Sequence, residues 1–306
     1  MRRLVRQLTL LKPPARRLSV AIISCLLVVD LVWLPFSALQ LSNSNLAVVA
    51  VLVGCFLLAG PAQRRFGFSA VARHLAVELY ILILFGAVGF IFSYLVIENG
   101  AAIRDDLFVA IDNSLGFDWP TYARFFLNND LLRSVSLVLY VLTPALVGFA
   151  FFWNGLNRNL ERVSELVAMV IVGGIWCVII SGIAPSVGGA GYFPTDDEFY
   201  MGYRVVFDNT YKLTFFQLRD AAGVEILLLR PFALIAFPSY HACLVTLVIL
   251  VLWGTGVKGW AIFVLNVGAL LSLPIQGGHH LSDVLGGVVV GALTYWLIRH
   301  TSRRFA

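Results

Sequence analysis

Charged residues are scarce in this chain. Only 13% of its 306 residues are charged, while 59% are hydrophobic. Soluble domains carry about a quarter charged residues, so this composition excludes an ordinary soluble fold and indicates a polytopic membrane protein. A run of Lys and Arg with interleaved aromatic residues is also missing, so we expect no nucleic-acid partner despite the net charge of +5.

Cysteines in metal-binding spacing and a cleavable signal are two further features that the sequence lacks. The four cysteines lie far apart inside apolar runs, at Cys25, Cys55, Cys177 and Cys243. We expect them to act as small packing residues. The first apolar run, 18–41, is longer than the signal core of about 7–15 residues and has no small-residue cleavage site. It is therefore predicted to stay attached as a transmembrane helix.

Long apolar runs dominate what is present. A helix needs about 20 such residues to cross the hydrocarbon core. Eight runs approach or reach this length, which predicts an all-α polytopic fold of about eight transmembrane helices. The runs are 18–41, 45–60, 75–97, 131–153, 166–184, 237–253, 260–275 and 281–298.

The distribution of charge orients these helices. With the N-terminus inside, the cytoplasmic segments hold most of the 22 Lys and Arg residues. Acidic residues instead concentrate in the two long segments on the opposite side. Because Lys and Arg are enriched on the cytoplasmic side of membrane proteins, we expect both termini to be cytoplasmic. We expect an integral membrane location, in a bacterial inner membrane.

The two long outer segments are predicted to be partly ordered. Residues 104–128 place apolar side chains near helical spacing between charges, which is typical of interfacial helices lying on a membrane. Asp118 and Pro120 suit the cap and first turn of the second of these helices. Residues 185–236 lead into the first polar motif and are predicted to form a lid or part of a site.

Two short polar motifs, residues 237–241 and 277–283, each open an apolar run. One further run lies between them, so both motifs reach the same, outer face of the membrane. His279 and Asp283 are spaced one helical turn apart. Two imidazoles and a carboxylate at one membrane edge are typical of chemistry on a lipid phosphate. A metal site built from His241, His279, His280 and Asp283 is an alternative.

Phosphoryl transfer needs a nucleophile, an acid for the leaving oxygen, and donors for the phosphoryl oxygens. Asp283 could fix the tautomer of His279 and leave its other nitrogen free to attack phosphorus. His241 would protonate the leaving alkoxide. His280 points about 100° around the helix from its neighbour, and we expect an interface position for it. The expected substrate contacts include the Ser239 hydroxyl and close backbone approach at Gly277 and Gly278.

These motifs resemble those of the type-2 phosphatidic acid phosphatase superfamily, which are Pro-Ser-x-His and Ser-Arg-x5-His-x3-Asp. Pro238, Ser239 and His241 match the first, and Ser272, His279 and Asp283 match the second. The resemblance implies His279 as the phosphohistidine nucleophile, Asp283 as its partner and His241 as the general acid. It also implies a six-helix core within residues 75–306, no metal or other cofactor, and two extra N-terminal transmembrane helices in residues 1–74.

The departures from this pattern carry information. The second-motif arginine falls on Leu273, and the usual glycine before the first histidine is Tyr240, which we include among the substrate contacts. This pattern is more similar to the inositol phosphorylceramide synthase and sphingomyelin synthase branch, which also lacks that arginine. Phosphate charge must then be met by other cations, and Arg230 and Arg219 are the candidates.

The sequence therefore predicts a metal-independent lipid phosphatase or phosphotransferase with its site on the periplasmic face. The phosphoryl acceptor is water or an alcohol, as in inositolphosphotransferases, and the expected partners are a lipid phosphate and membrane lipids. A transporter or an inactive scaffold of the same fold is the alternative. Polar residues of transporters cluster near the membrane midplane, whereas these cluster at one face. The sequence does not indicate an oligomeric state.

Overall fold

The computed structural model describes residues 13–42, 69–193, 209–221, 223–226 and 234–304, together with residues 45, 48, 51, 54 and 67. Helices make up almost all of its regular structure. They are α1 Pro14–Trp33, α2 Ala70–Glu98, α3 Asp105–Ser114, α4 Trp119–Leu127, α5 Asp130–Val141, α6 Thr143–Leu156, α7 Leu160–Ile183, α8 Gly188–Tyr192, α9 Asn209–Arg219, α10 Tyr240–Leu252, α11 Val257–Gln276 and α12 Leu281–Arg304. The exception is a parallel pair of two-residue strands, β1 Gln40–Leu41 and β2 Glu225–Ile226.

Several of these helices are long and apolar enough to cross a membrane. Within the described residues there are five, or six if the bent pair α5 and α6 forms one span. The five are Pro14–Phe36, Ala70–Glu98, Leu160–Tyr192, Gly259–Gln276 and Leu281–Ser302. The predicted second helix, 45–60, lies outside the described residues except for positions 45, 48, 51 and 54.

The predicted helix over 237–253 is shorter in the structure. Helix α10 has 13 residues, because Ser239 caps its start and its C-cap residue Trp253 is followed by a turn. Gly254 and Gly256 in that turn have φ of 83° and 72°, which favours glycine. This length is below the roughly 20 residues of a full span. Helix α10 is instead surrounded by α6, α7, α11 and α12.

A bend interrupts the predicted helix over 131–153. Helices α5 and α6 meet at Leu142 and are bent by 43°. Pro144 lies in the first turn of α6, where it cannot donate a backbone hydrogen bond into the preceding turn. The bend therefore coincides with this proline, and it places Tyr140, near the end of α5, beside the start of α10.

Close packing of α10 against α12 depends on small residues. A Cβ atom at Gly287 would collide with the Ser239 carbonyl and lie 2.7 Å from the Ala242 Cβ, and one at Gly291 would lie 2.8 Å from the Cys243 carbonyl oxygen. The Gly-x-x-x-Gly spacing thus lets the two backbones approach. Cys177 and Cys243 are buried at this core, in keeping with a packing role.

Ion pairs tie the helices together at the end of the bundle away from the two motifs. Arg16 Nε lies 2.8 Å from Glu78 Oε1 and joins α1 to α2. Arg299 Nη1 lies 2.7 Å from Glu165 Oε2 and joins α12 to α7. Since α12 rises about 1.5 Å per residue, roughly 27 Å separate Arg299 from the start of α12 at Leu281. The polar motifs therefore lie at the opposite end.

Candidate active site

The starts of α10 and α12 are joined to each other. The Ser239 backbone N–H donates to the Asp283 carbonyl oxygen at 2.9 Å. Ser239 is the N-cap of α10, and its hydroxyl accepts from the Ala242 N–H at 3.4 Å. The Asp283 carboxylate accepts from the His280 N–H at 2.8 Å, the reciprocal half of a capping box. These contacts bring the two sequence motifs to one place, as expected.

His279 lies in the loop between α11 and α12 and is only 5% exposed. Its Nε2 is 3.1 Å from the Ser239 hydroxyl oxygen. Its Nδ1 faces Asp283 Oδ2 at 3.5 Å. A proton on Nδ1 would be stabilised by that carboxylate, which leaves a lone pair on Nε2. In that tautomer the Nε2 lone pair is the one that faces the Ser239 hydroxyl.

His241 occupies the first turn of α10 and is half-buried. Its ring stacks on Tyr140 of α5, with ring centroids 4.8 Å apart and planes inclined by 21°. It lies two residues after Ser239, whose hydroxyl contacts His279 Nε2. The structure thus brings together Ser239, His241, His279 and Asp283, the four side chains on which the sequence argument depended.

The two glycines before His279 shape its loop. A Cβ at Gly277 would lie 2.7 Å from His279 Cδ2, so only glycine leaves room for the ring. Gly278 has φ of 64°, and its carbonyl oxygen accepts from the Ala190 N–H at 3.2 Å. These glycines hold the imidazole in position, and their contact with a substrate stays a prediction.

Two other motif residues point elsewhere. The Tyr240 hydroxyl donates to the Val170 carbonyl oxygen at 2.9 Å, in the middle of α7. The Ser272 hydroxyl donates to the Ala269 carbonyl oxygen at 2.7 Å, within its own helix. The structure therefore does not bring the Tyr240 or Ser272 side chain to His279.

A family model described as the PAP2 superfamily matches residues 106–297, well over half of the chain. The match runs from α3 to α12 and contains both polar motifs. The chain belongs to the PAP2 superfamily. PAP2 proteins are generally phosphatases, and this membrane-type helical fold suggests phosphatase-like activity. No curated protein and no solved structure matches the chain.

As a PAP2 protein, the chain departs from the superfamily pattern at Leu273. This side chain is fully buried, in an apolar cluster with Ala242 and Val284. Arg219, one of the proposed replacements, donates to the Ala101 carbonyl oxygen at 2.8 Å and to the Gly100 carbonyl oxygen at 3.4 Å. It thus contacts the chain just after α2. Arg230, the other candidate, lies outside the described residues.

The burial of His280 beside His279 is the main feature that the sequence argument missed. His280 was expected at the membrane interface, but its side chain is fully buried. Its Nε2 donates to Asp105 Oδ1 at 3.0 Å, and its Nδ1 lies 3.7 Å from Asp112 Oδ2. The expectation was wrong because both partners come from α3, whose acidic side chains were expected to face water.

Asp112 also holds the start of α12. Its two carboxylate oxygens accept from the backbone N–H groups of Leu281 and Ser282, each at 2.8 Å. A carboxylate at this position offsets the positive end of the helix dipole. One sequence signal could have found the pair: Asp105 and Asp112 are two turns apart and therefore share a helix face.

The metal alternative gains no support from this geometry. Within the part of the chain that the structure describes, no three His, Cys, Asp or Glu side chains converge as metal ligands. His280 faces Asp105 and Asp112, whereas His279 faces Ser239 and Asp283. The two neighbouring imidazoles therefore belong to separate contacts.

Proposed function

We propose that this PAP2 protein is a membrane-embedded lipid phosphatase or phosphotransferase that works through a phosphohistidine on His279, on the periplasmic face. One observation carries this proposal. His279 has Asp283 beside Nδ1 at 3.5 Å and the Ser239 hydroxyl beside Nε2 at 3.1 Å. A carboxylate behind the ring and a hydroxyl in front of it form an activated nucleophile.

In the first step, the His279 Nε2 lone pair attacks phosphorus, and a nitrogen–phosphorus bond forms. The bond from phosphorus to the lipid ester oxygen breaks. His241, in its protonated form, gives its proton to that leaving oxygen. The positive charge that develops on the His279 ring is stabilised by Asp283. The lipid leaves as an alcohol.

In the second step, the neutral His241 takes a proton from the acceptor, water or an alcohol. The acceptor oxygen attacks phosphorus, and the nitrogen–phosphorus bond breaks. His279 returns to its starting form, and His241 is protonated again. Water as acceptor makes the enzyme a phosphatase, and an alcohol makes it an inositolphosphotransferase-like transferase. The same residues serve both reactions.

The phosphoryl oxygens need donors as well as a nucleophile. The first amides of α12 are taken by Asp112, so the positive end of that helix is already neutralised. The start of α10, where Ser239 and His241 lie, is the end that remains for an anion. Arg219 is engaged by backbone carbonyls, so Arg230 is the cation that we propose for the phosphate.

The test uses the purified protein in lipid nanodiscs and a panel of lipid phosphates. Wild type is expected to release phosphate with and without a chelator. His279→Ala is expected to lose at least about 10⁴-fold in kcat, because the nucleophile is gone. The matched control is His300→Ala, since His300 is exposed at the far end of α12. Radiolabelled phosphate should be trapped on wild type as an acid-labile adduct.

Each outcome has a clear consequence. Full activity of His279→Ala rejects the nucleophile, and loss of wild-type activity with chelator favours a metal site. A folded wild type that turns over no member of the panel supports a transporter or inactive scaffold. Adding inositol separates transfer from hydrolysis, because transfer of the phosphoryl group to inositol gives an inositol phosphate in place of free phosphate.

A further inference from the structure

We infer that His280, held between Asp105 and Asp112, is a positioning residue through which helix α3 sets the location of the His279 ring. This inference rests on the proposed function, because it assigns a support to the proposed nucleophile. His280 is the next residue in the chain after His279. Any shift of its backbone therefore directly moves residues 277–280 between α11 and α12, which we call the catalytic loop.

Asp105 is the centre of this support. Its Oδ1 accepts from His280 Nε2 at 3.0 Å and from the Ser186 hydroxyl at 2.8 Å. Its Oδ2 accepts from the Val187 N–H at 3.0 Å. One carboxylate thus joins α3, the segment after α7 and the catalytic loop. It is only 2% exposed, so water does not replace these partners.

Asp112 holds the same loop from the other side. It binds the amides of Leu281 and Ser282, which are the first two residues of α12. The His279 ring is thereby held between a fixed His280 and its own contacts to Ser239 and Asp283. A catalytic group that is misplaced by about 1 Å can lose about 10²-fold in rate. The contacts of Asp105 and Asp112 with residues 280–282 restrict such a shift.

The charges around His280 favour its protonated form. Burial by itself lowers the pKa of His280, but the hydrogen bond to Asp105 and the charges of Asp283, Asp105 and Asp112 outweigh burial and raise it. The other rings packed near it, from Phe108, Tyr192 and Phe193, are neutral. An imidazolium here makes the contact with Asp105 a charge-assisted bond, which is stronger than a neutral one.

The opposite face of α3 is apolar and exposed. Leu107 is 54% exposed and Ile111 is 38% exposed, while Asp105 and Asp112 are buried. An amphipathic helix with such a face lies in the headgroup region of a membrane. Helix α3 therefore contacts lipid on one side and holds the catalytic loop on the other.

The first experiment measures kcat and KM for His280→Gln and Asp105→Asn on the best substrate of the panel. Each is expected to lower kcat about 10²-fold with little change in KM, because the nucleophile is misplaced while the lipid still binds. The matched control is Asp106→Asn, which removes the same charge from the neighbouring, exposed position. It should leave kcat unchanged. The double variant should be no slower than the slower single variant.

The second experiment does not depend on activity. The five histidines are labelled with ¹³C, and His280→Gln assigns the His280 resonance. Its titration midpoint is expected above the ordinary value of about 6.5. Asp105→Asn should lower that midpoint, and Asp106→Asn should not. The His279 resonance should also shift in Asp105→Asn, which a purely local role of His280 would not cause.

The outcomes separate this inference from the proposed function. If folded His280→Gln and Asp105→Asn keep full kcat while His279→Ala is inactive, His280 does not position the nucleophile and the proposed function stands. A midpoint at or below 6.5 in wild type, or one unchanged in Asp105→Asn, also overturns the inference. If His279→Ala is fully active, the proposed function fails, and the titration still reports whether His280 is held by Asp105. Should Asp105→Asn fail to fold, Asp112→Asn replaces it in both experiments with the same expected results.

Discussion

The Ser239 hydroxyl has two contacts with different consequences. It accepts from the Ala242 N–H as the cap of α10, and it meets His279 Nε2 at 3.1 Å. The cap contact at 3.4 Å is long, so the hydroxyl can turn its proton without losing much stability. In the proposed reaction the hydroxyl keeps its proton, and its hydrogen bond passes from the ring nitrogen to a phosphoryl oxygen.

Ser239→Ala is expected to lower kcat about 10²-fold, the cost of losing one donor to the developing charge. It should also lower the free energy of unfolding by about 1 kcal/mol, because the helix cap is lost. Ser69→Ala is the matched control, since the Ser69 hydroxyl caps α2 by accepting from the Ala72 N–H at 3.1 Å. Thermal unfolding and kcat are measured for both variants. Equal loss of kcat in the two would show that Ser239 acts only as a cap.

Leu273→Arg tests whether the superfamily arginine can be restored. The Leu273 side chain is exposed to neither lipid nor water, because it packs against Ala242 and Val284 with 0% exposure. An unpaired charge buried here is expected to lower the free energy of unfolding by about 3–5 kcal/mol, with no gain in kcat. The isosteric control Leu273→Met should cost less than about 1.5 kcal/mol. A folded Leu273→Arg with higher kcat would contradict the apolar role of this position.

Spacing predicted some residues of the site and could not predict others. Ser239, His241, His279 and Asp283 followed from two motifs at the starts of apolar runs, because a same-side arrangement needs only a count of spans. The partners of His280 did not follow, since Asp105 is 175 positions away in the chain. A charge on an amphipathic helix looks the same whether it faces water or a buried imidazole.

At the scale of helices, caps and breaks were predictable because they depend on a few adjacent residues. Asp118 caps α4 by accepting from the Thr121 N–H at 3.0 Å, as its position before Trp119 and Pro120 indicated. The contact of α4 with the end of α11 was not predictable. Trp119 donates to the Pro274 carbonyl oxygen at 3.0 Å, which satisfies one of the last carbonyls of α11 just before the catalytic loop.

Gly287→Ala is expected to separate α10 from α12. Its Cβ would collide with the Ser239 carbonyl, which is backbone and cannot rotate away. We expect the free energy of unfolding to fall by about 1–3 kcal/mol and kcat to fall with it, because Ser239 moves away from His279. Gly148→Ala is the control, since a Cβ there meets no atom within 4 Å in the middle of α6. It should be neutral or stabilising by up to about 1 kcal/mol, and a similar gain for Gly287→Ala would contradict the close packing.

At the scale of the whole molecule, the two ends of the bundle carry different groups of polar residues. The count of spans predicted that the polar motifs share one end, and the ion pairs of Arg16 and Arg299 lie at the other. The number of spans was less predictable. Apolar length does not distinguish a helix that meets lipid from α10, which is enclosed by other helices.

Glu78→Gln tests the independence of the two ends. Glu78 is fully buried and pairs with Arg16 at 2.8 Å, so the variant leaves the guanidinium buried without its carboxylate. Breaking such a pair costs about 3–5 kcal/mol, which should appear as a lower unfolding temperature in detergent. The control Glu161→Gln removes an exposed carboxylate from the first turn of α7 and should change stability by less than about 0.5 kcal/mol. Because about 27 Å of α12 lies between the ion-pair end of the bundle and the loop that carries His279, kcat per folded molecule should not change. A fall in kcat at a temperature where Glu78→Gln remains folded would show instead that the ion-pair end and the catalytic end are coupled through α2, α7 and α12.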